Sequence, residues 1–166
     1  MNAREPFGTM DAFHHRNLPH LLLHVREALM AHFRPVLNEA GVTEQQWRVL
    51  RVLSEEGPLE PNQIARSCQI LSPSLTRMLA GMEAGGLIHR ERLDADQRRQ
   101  TISLTTKSQA LIERMRPVVD QRYRQLEATI GRELLERLYR DLDQAADLVK
   151  RAPAATPTED TDSAGY

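Results

Sequence analysis

Apolar side chains recur along this chain at helical spacing in six runs, and the stretch between the fourth and fifth alternates instead. From about Pro19 to Glu39, the residues Leu22, Val25, Leu29, Met30, Phe33, Val36 and Leu37 form a very wide apolar face. One small partner helix would not cover it, so burial on two sides is expected: by its own domain and by a second subunit. Gly41 closes this run. Thr43 and Gln46 then have the spacing of a capping box, which opens a second helix running to about Glu56. Its buried face is Trp47, Val49, Leu50, Val52 and Leu53, with Arg48 and Arg51 on the other side. After the Gly57-Pro58 turn, Leu59-Glu60 is at most a very short extended piece. Pro61 starts a third helix with Ile64, Ala65 and Cys68 inward. A tight turn at Ile70-Leu71 leads to a fourth helix, with Ser72 as the expected N-cap and Gly85-Gly86 as its stop.

The alternating stretch from Leu87 to Leu104 reads as two strands around the polar turn Asp94-Ala95-Asp96-Gln97-Arg98-Arg99. Thr105 is placed to cap a long fifth helix carrying Leu111, Met115, Val118, Tyr123, Leu126 and Ile130, and Gly131 breaks it. Pro35 and Pro117 fall inside helical runs and should bend them. In the last helix, to about Arg151, Leu135, Leu138, Leu142, Ala145 and Val149 are spaced alternately by three and four. That is a heptad seam, suited to packing on another helix at a shallow angle. The expected organisation is mainly α: a loose arm (1–17), a dimerisation helix (18–41), a winged helix-turn-helix (42–105), two further dimerisation helices (106–151) and a disordered tail (152–166). The tail's prolines, threonines and acids offer almost no large apolar group to bury.

Composition narrows the partners. Across 166 residues the formal net charge is −1, so any attraction to nucleic acid must come from a local patch. Of 22 basic residues only Lys107 and Lys150 are lysine, and arginine is the better bidentate ligand for phosphate and guanine. A single cysteine, Cys68, rules out an intrachain disulfide framework and fits a reducing cytoplasm, the expected location. No apolar run approaches the ~20 residues that span a bilayer, and no signal peptide is seen, so no membrane role is expected.

Two short helices joined by about four residues have helix-turn-helix spacing, and the second one is built to be read outward. Leu75, Met78, Leu79 and Met82 fall together, while Pro73, Thr76, Arg77, Ala80 and Ala84 lie opposite, flanked by Ser74 and Gly81. Such a small, polar face can sink into a major groove, with Ser72, Ser74 and Thr76 meeting phosphate or base edges and Arg77 a guanine or phosphate. Taken alone it is equally an ordinary solvent-exposed face. The hairpin tips the balance, because it gathers Arg90, Arg92, Arg98 and Arg99 in one place. Asp96 can accept hydrogen bonds that fix the turn and present Arg98 or Arg99 to the narrow, strongly negative minor groove.

Five stretches together resemble the MarR family of bacterial winged helix-turn-helix repressors: Thr43-Glu44-Gln45-Gln46-Trp47-Arg48-Val49-Leu50, Ser72-Pro73-Ser74-Leu75-Thr76-Arg77, Leu87-Ile88, Asp96-Gln97-Arg98-Arg99 and Ile102-Ser103-Leu104-Thr105. The likeness covers about residues 20 to 150. It implies an obligate homodimer whose terminal helices pair between subunits and whose two reading heads, about one DNA turn apart, bind a pseudo-palindromic operator. Arg26-Glu27-Ala28, Phe33-Arg34-Pro35 and Thr43 to Arg48 look most like the homoprotocatechuate-degradation repressors, a subgroup whose relatives include regulators responding to aromatic acids such as hydroxynicotinate and a biofilm-polysaccharide repressor. The resemblance therefore implies a repressor of aromatic catabolism genes released by a small aromatic acid.

In the family such effectors sit between the dimer helices and the reading domain. An anionic ring needs a cation or donor and an apolar wall, and the candidates at that junction are Arg16, Asn17, His20, His24, Trp47 and Arg51. By burial habit Trp47 is first of all a plain core residue, and Arg51 also fits a solvated one. Three rival readings stand beside this one. His20 and His24, with Glu27 on the same helical face, have the spacing of a zinc pair but lack a further ligand cluster. Cys68 could be a redox switch, although it falls on the inward side of its helix. The apolar terminal helices alone would suit a pure protein-interaction module. No nucleophile elbow, phosphate loop or dinucleotide fingerprint occurs, so neither an enzyme nor a cofactor is expected.

Overall fold

The computed structural model describes residues 15–92 and 100–152. Six helices and one two-stranded sheet follow in the order α1 (Leu18–Glu39), α2 (Glu44–Glu56), α3 (Pro61–Cys68), α4 (Ser72–Ala84), β1 (Ile88–Arg92), β2 (Gln100–Leu104), α5 (Thr106–Ile130) and α6 (Arg132–Arg151). The arm up to His14, the hairpin turn from Leu93 to Arg99 and the tail from Pro153 lie outside the described residues. The chain divides into two compact units between Val119 and Asp120.

Local chemistry sets the boundaries of the first unit. Asn17 caps α1 by accepting from the His20 N–H at 3.0 Å. α1 and α5 each continue through their internal prolines, Pro35 and Pro117. Thr43 and Gln46 close the expected capping box: the Thr43 hydroxyl accepts from the Gln46 N–H, and the Gln46 side chain accepts from the Thr43 N–H. Glu60 and Gln63 close a second one at α3, which the sequence reading missed. At the head of α5, Thr105 and Ser108 exchange backbone-to-hydroxyl bonds in the same manner.

One continuous core fills this unit. It joins Val36 and Leu37 of α1, Val49, Leu50 and Leu53 of α2, Ile64 and Cys68 of α3, and Leu75, Leu79 and Met82 of α4. Ile88 and Ile102 seal it from the hairpin, and Leu111, Ile112 and Met115 extend it into α5, beyond the expected domain end at 105. Trp47 and Val52 are only half-buried against it. The hairpin is antiparallel, with Ile88 opposite Leu104, Arg90 opposite Ile102 and Arg92 opposite Gln100. On the other side of β2, Leu59 exchanges two backbone hydrogen bonds with Ile102, so the short extended piece after Pro58 ties the sheet to the helix-turn-helix.

The second unit has a different character. Gly131 precedes α6 at the cap position, where its φ of +88° suits a residue without a side chain, and none of the helix's residues is buried. Leu138, Leu142 and Val149 of the heptad seam are exposed, together with Leu134, Tyr139 and Leu148.

Candidate nucleic-acid interface

The reading head begins with the turn between α3 and α4. Gln69 takes the left-handed conformation at φ +51° and ends α3. The Ile70 N–H donates to the Ala65 carbonyl at 3.0 Å, and the Gln69 side chain donates to the Arg66 carbonyl at 2.8 Å. Arg48 reinforces this turn from α2. Its guanidinium donates to the Cys68 carbonyl at 2.8 Å and pairs with Glu44 at 3.0 Å. The expectation that Arg48 lies on the open side of α2 is therefore corrected: it is half-buried, because the C-terminus of α3 presents carbonyls that a cation satisfies.

α4 has the two faces its periodicity predicts. Leu75, Leu79 and Met82 are buried and Met78 is half-buried. Ser72, Pro73, Ser74, Thr76, Arg77, Ala80, Gly81 and Ala84 are exposed. Arg77 has no hydrogen-bond or ion-pair partner among the described residues, so its guanidinium is available to an external anion. Thr76 donates its hydroxyl proton to the Ser72 carbonyl at 2.9 Å, which leaves its oxygen as an acceptor. Ser72 itself is not the N-cap. The helix starts one residue earlier, Leu71 occupies the cap position, and no side chain there bonds the first turn. The Leu75 N–H to Leu71 carbonyl bond, 2.9 Å, is what draws Ser72 into the helix.

The C-terminus of α4 is firmly held. Gly86, at φ +68°, reverses the chain, and the Leu87 N–H reaches back to the Met82 carbonyl at 2.8 Å. Gly85 keeps a right-handed conformation, so of the two glycines only Gly86 requires the missing side chain. Two residues at the head of α5 fill the remaining carbonyls. Lys107 donates to Gly85 and Thr105 donates to Gly86, each at 2.7 Å.

The wing springs directly from this end. Of its arginines, Arg92 is exposed, whereas Arg90 is half-buried with its Nε 2.8 Å from Glu83 of α4. That contact fixes the wing's base to the reading helix and leaves Arg90 less free for DNA than Arg92. Asp96, Arg98 and Arg99 lie in the hairpin turn, outside the described residues.

The ligand candidates fall on two elements. Arg16, Asn17, His20 and His24 are exposed at the start of α1, where Asn17 is occupied as the helix cap and the His20 and His24 Nε2 atoms are 3.1 Å apart. Trp47 and Arg51 lie one turn apart on α2, with Arg51 bonded to Glu55 at 2.7 Å. Glu27 does not join the histidines. It pairs with Arg34 and Arg26, and the Arg34 hydrogen bond leads in holding its carboxyl below the ordinary value. Among the described residues no group of three metal-ligating side chains forms. Cys68 is fully buried, and burial pushes its thiol up, away from the reactive thiolate.

Known proteins share this architecture. A family model described as the MarR family matches residues 42–99. The homoprotocatechuate degradative operon repressor of Escherichia coli is 40% identical over 130 residues, covering 78% of this chain and 88% of that protein. Among solved structures, NadR in complex with 4-hydroxyphenylacetate superposes with a TM-score of 0.74 at 39% identity, covering 87% of this chain and all of that one. The repressor CouR bound to a 23-mer DNA duplex gives 0.72 at 27% identity, covering 78% and 92%.

Proposed function

This chain belongs to the MarR family, and from that premise we propose that it is a transcriptional repressor that binds a pseudo-palindromic operator as a homodimer. The observation that carries the reading is the outer face of α4: small and polar from Ser72 to Ala84, with Arg77 unpartnered among the described residues, on a helix whose other face is locked into the core. A helix so supported can enter the major groove without distorting its own domain. Ser72, Ser74, Thr76 and Arg77 meet the groove, and Arg92 with Arg98 and Arg99 brings the wing to the flanking minor groove. Arg90 acts chiefly through Glu83, which ties the base of the wing to α4.

The dimer follows from the uncovered apolar residues of α1 and α6, which a second copy would bury. A bound aromatic acid of the hydroxyphenylacetate class would release the operator, as the likeness to a NadR complex with 4-hydroxyphenylacetate suggests. Its carboxylate needs the cation and its ring the wall that Arg51 and Trp47 provide, with Arg16, Asn17, His20 and His24 completing the site. A cytoplasmic location belongs to the same proposal, since a regulator of this kind works where its operator lies.

A gel shift with the DNA upstream of its own coding sequence tests this. Retardation is expected at low salt, weakening steeply as salt rises because phosphate contacts release counterions. Added 4-hydroxyphenylacetate should reverse it, and an Arg51→Ala variant should resist that reversal. No retardation at low salt would sink the DNA-binding reading; release that is unaltered in Arg51→Ala would remove Arg51 from the effector site.

A further inference from the structure

The reading face carries one side chain that its polar character does not explain. Leu71, at the N-cap of α4, is 79% exposed, more than any other large hydrophobic residue among those described. The other exposed leucines and valines lie on α1, α5 and α6; none lies in the helix-turn-helix or wing strands. Leucine is also a poor choice for its position, since it has no acceptor for the free N–H groups of the first turn and the cap goes unfilled. Its neighbour Ile70 is buried in the core, so the chain had an inward site for an apolar residue and filled it with the preceding one. Leu71 is thus held outward, beside Ser72, Pro73 and Ser74, at the end of the reading helix that approaches base edges in helix-turn-helix complexes.

Only one group on the major-groove edges is apolar: the thymine C5-methyl. Cytosine offers only a C–H at the same ring position, without the methyl to pack on, and the remaining groove atoms are hydrogen-bond donors or acceptors that an aliphatic side chain would desolvate without replacing their bonds. We propose that Leu71 is a specificity-determining residue that packs on the C5-methyl of one thymine in each operator half-site. The proposal rests on the DNA-binding reading above and adds a base preference to it. Serine, threonine and arginine of α4 then read the polar edges, and Leu71 rejects any base that would place a polar edge against it.

Uracil scanning of the footprinted operator tests it. Replacing a single dT by dU removes the methyl and leaves the pairing and polar edges unchanged. At one position per half-site the wild-type protein should lose about fourfold in affinity, the change expected for one buried methyl. Leu71→Ala should bind the natural operator more weakly, melt at the wild-type temperature, and show no loss at that same dU. The proposal is overturned if no dU position distinguishes the two proteins. It is also overturned if Leu71→Ala shifts the monomer–dimer equilibrium in sedimentation, which would place Leu71 against a second copy. Failure of the wild-type protein to bind the natural operator would instead strike the DNA-binding reading on which the proposal depends.

Discussion

The helix-turn-helix and helix α6 are both leucine-rich, and they put leucine to opposite uses. Leu50, Leu53, Leu75 and Leu79 meet inside one core, where they determine the positions of α2 and α4. Leu134, Leu138, Leu142 and Leu148 stay exposed along a helix with no buried residue. Periodicity is equally good in both places. What differs is the number of faces pointing at one another: five helices and a hairpin enclose a volume, and a single amphipathic helix cannot. Helical spacing therefore identifies an apolar face without identifying its cover; for α6 a second copy of the chain is the cover proposed above.

The comparison breaks most sharply if the two regions can be damaged separately. Leu138→Asp combined with Leu142→Asp should abolish the dimer in sedimentation while leaving the helix-turn-helix folded. Operator affinity should then fall by roughly 10²- to 10⁴-fold, because two half-sites are no longer bound together. A persisting dimer would show that the seam is not the interface. Leu50→Ala makes the converse cut. Leu50 is wholly buried, and its truncation should cost about 2–5 kcal/mol in urea unfolding, by transfer and cavity formation together. A cost as small as that of an exposed leucine would contradict the core assignment.

Two smaller effects sharpen the picture within the first region, at the junction of α1 and α2. Thr43→Ala should lower stability by about 1 kcal/mol, the worth of one N-cap, and Thr43→Ser should restore most of it. The smallest effect concerns Glu27, which with Glu44 links Arg26, Arg34 and Arg48 across α1 and α2. Its carboxyl is held below its ordinary value of 4.5, foremost by the Arg34 hydrogen bond. A lowered folded-state value means stability that is present above the unfolded-state value and lost as pH falls through the folded one. Between pH 6 and pH 3 the urea midpoint of the wild type should therefore drop slightly more than that of Glu27→Gln. The pair is half-exposed and partly solvent-screened, so equal drops would mean it contributes nothing measurable.

Much of this was legible in the chain itself, for reasons that differ from element to element. The capping box at Thr43-Gln46, the chain reversal at Gly86 and the inward set Leu75, Leu79 and Met82 are local features, decided within one or two turns. Ser72 misled because serine before proline is a good cap in isolation, whereas the tertiary fold places buried Ile70 first and so moves the helix start back by one residue. Arg48 misled because helical spacing sets it opposite the core, and no pattern within α2 announces the α3 carbonyl twenty residues later. The bonds from Lys107 and Thr105 to the end of α4 span a similar distance and were invisible for the same reason. The Glu60-Gln63 box could have been found, since it sits on an unmistakable Pro61 helix start; acid rather than hydroxyl at the cap hid it.

Those two bonds have a mechanical consequence. With Gly85, Gly86 and Glu83 all gripped, α4 is clamped at its C-terminal end, while its N-terminal end carries no cap and an exposed leucine. Leu75, one turn in, is nevertheless packed in the core, so the helix is held along its length and moves only as one piece with its domain. Whatever moves the head of α5 therefore acts on the reading helix directly, through the bonds to its last carbonyls, and carries the whole outer face of α4 with it.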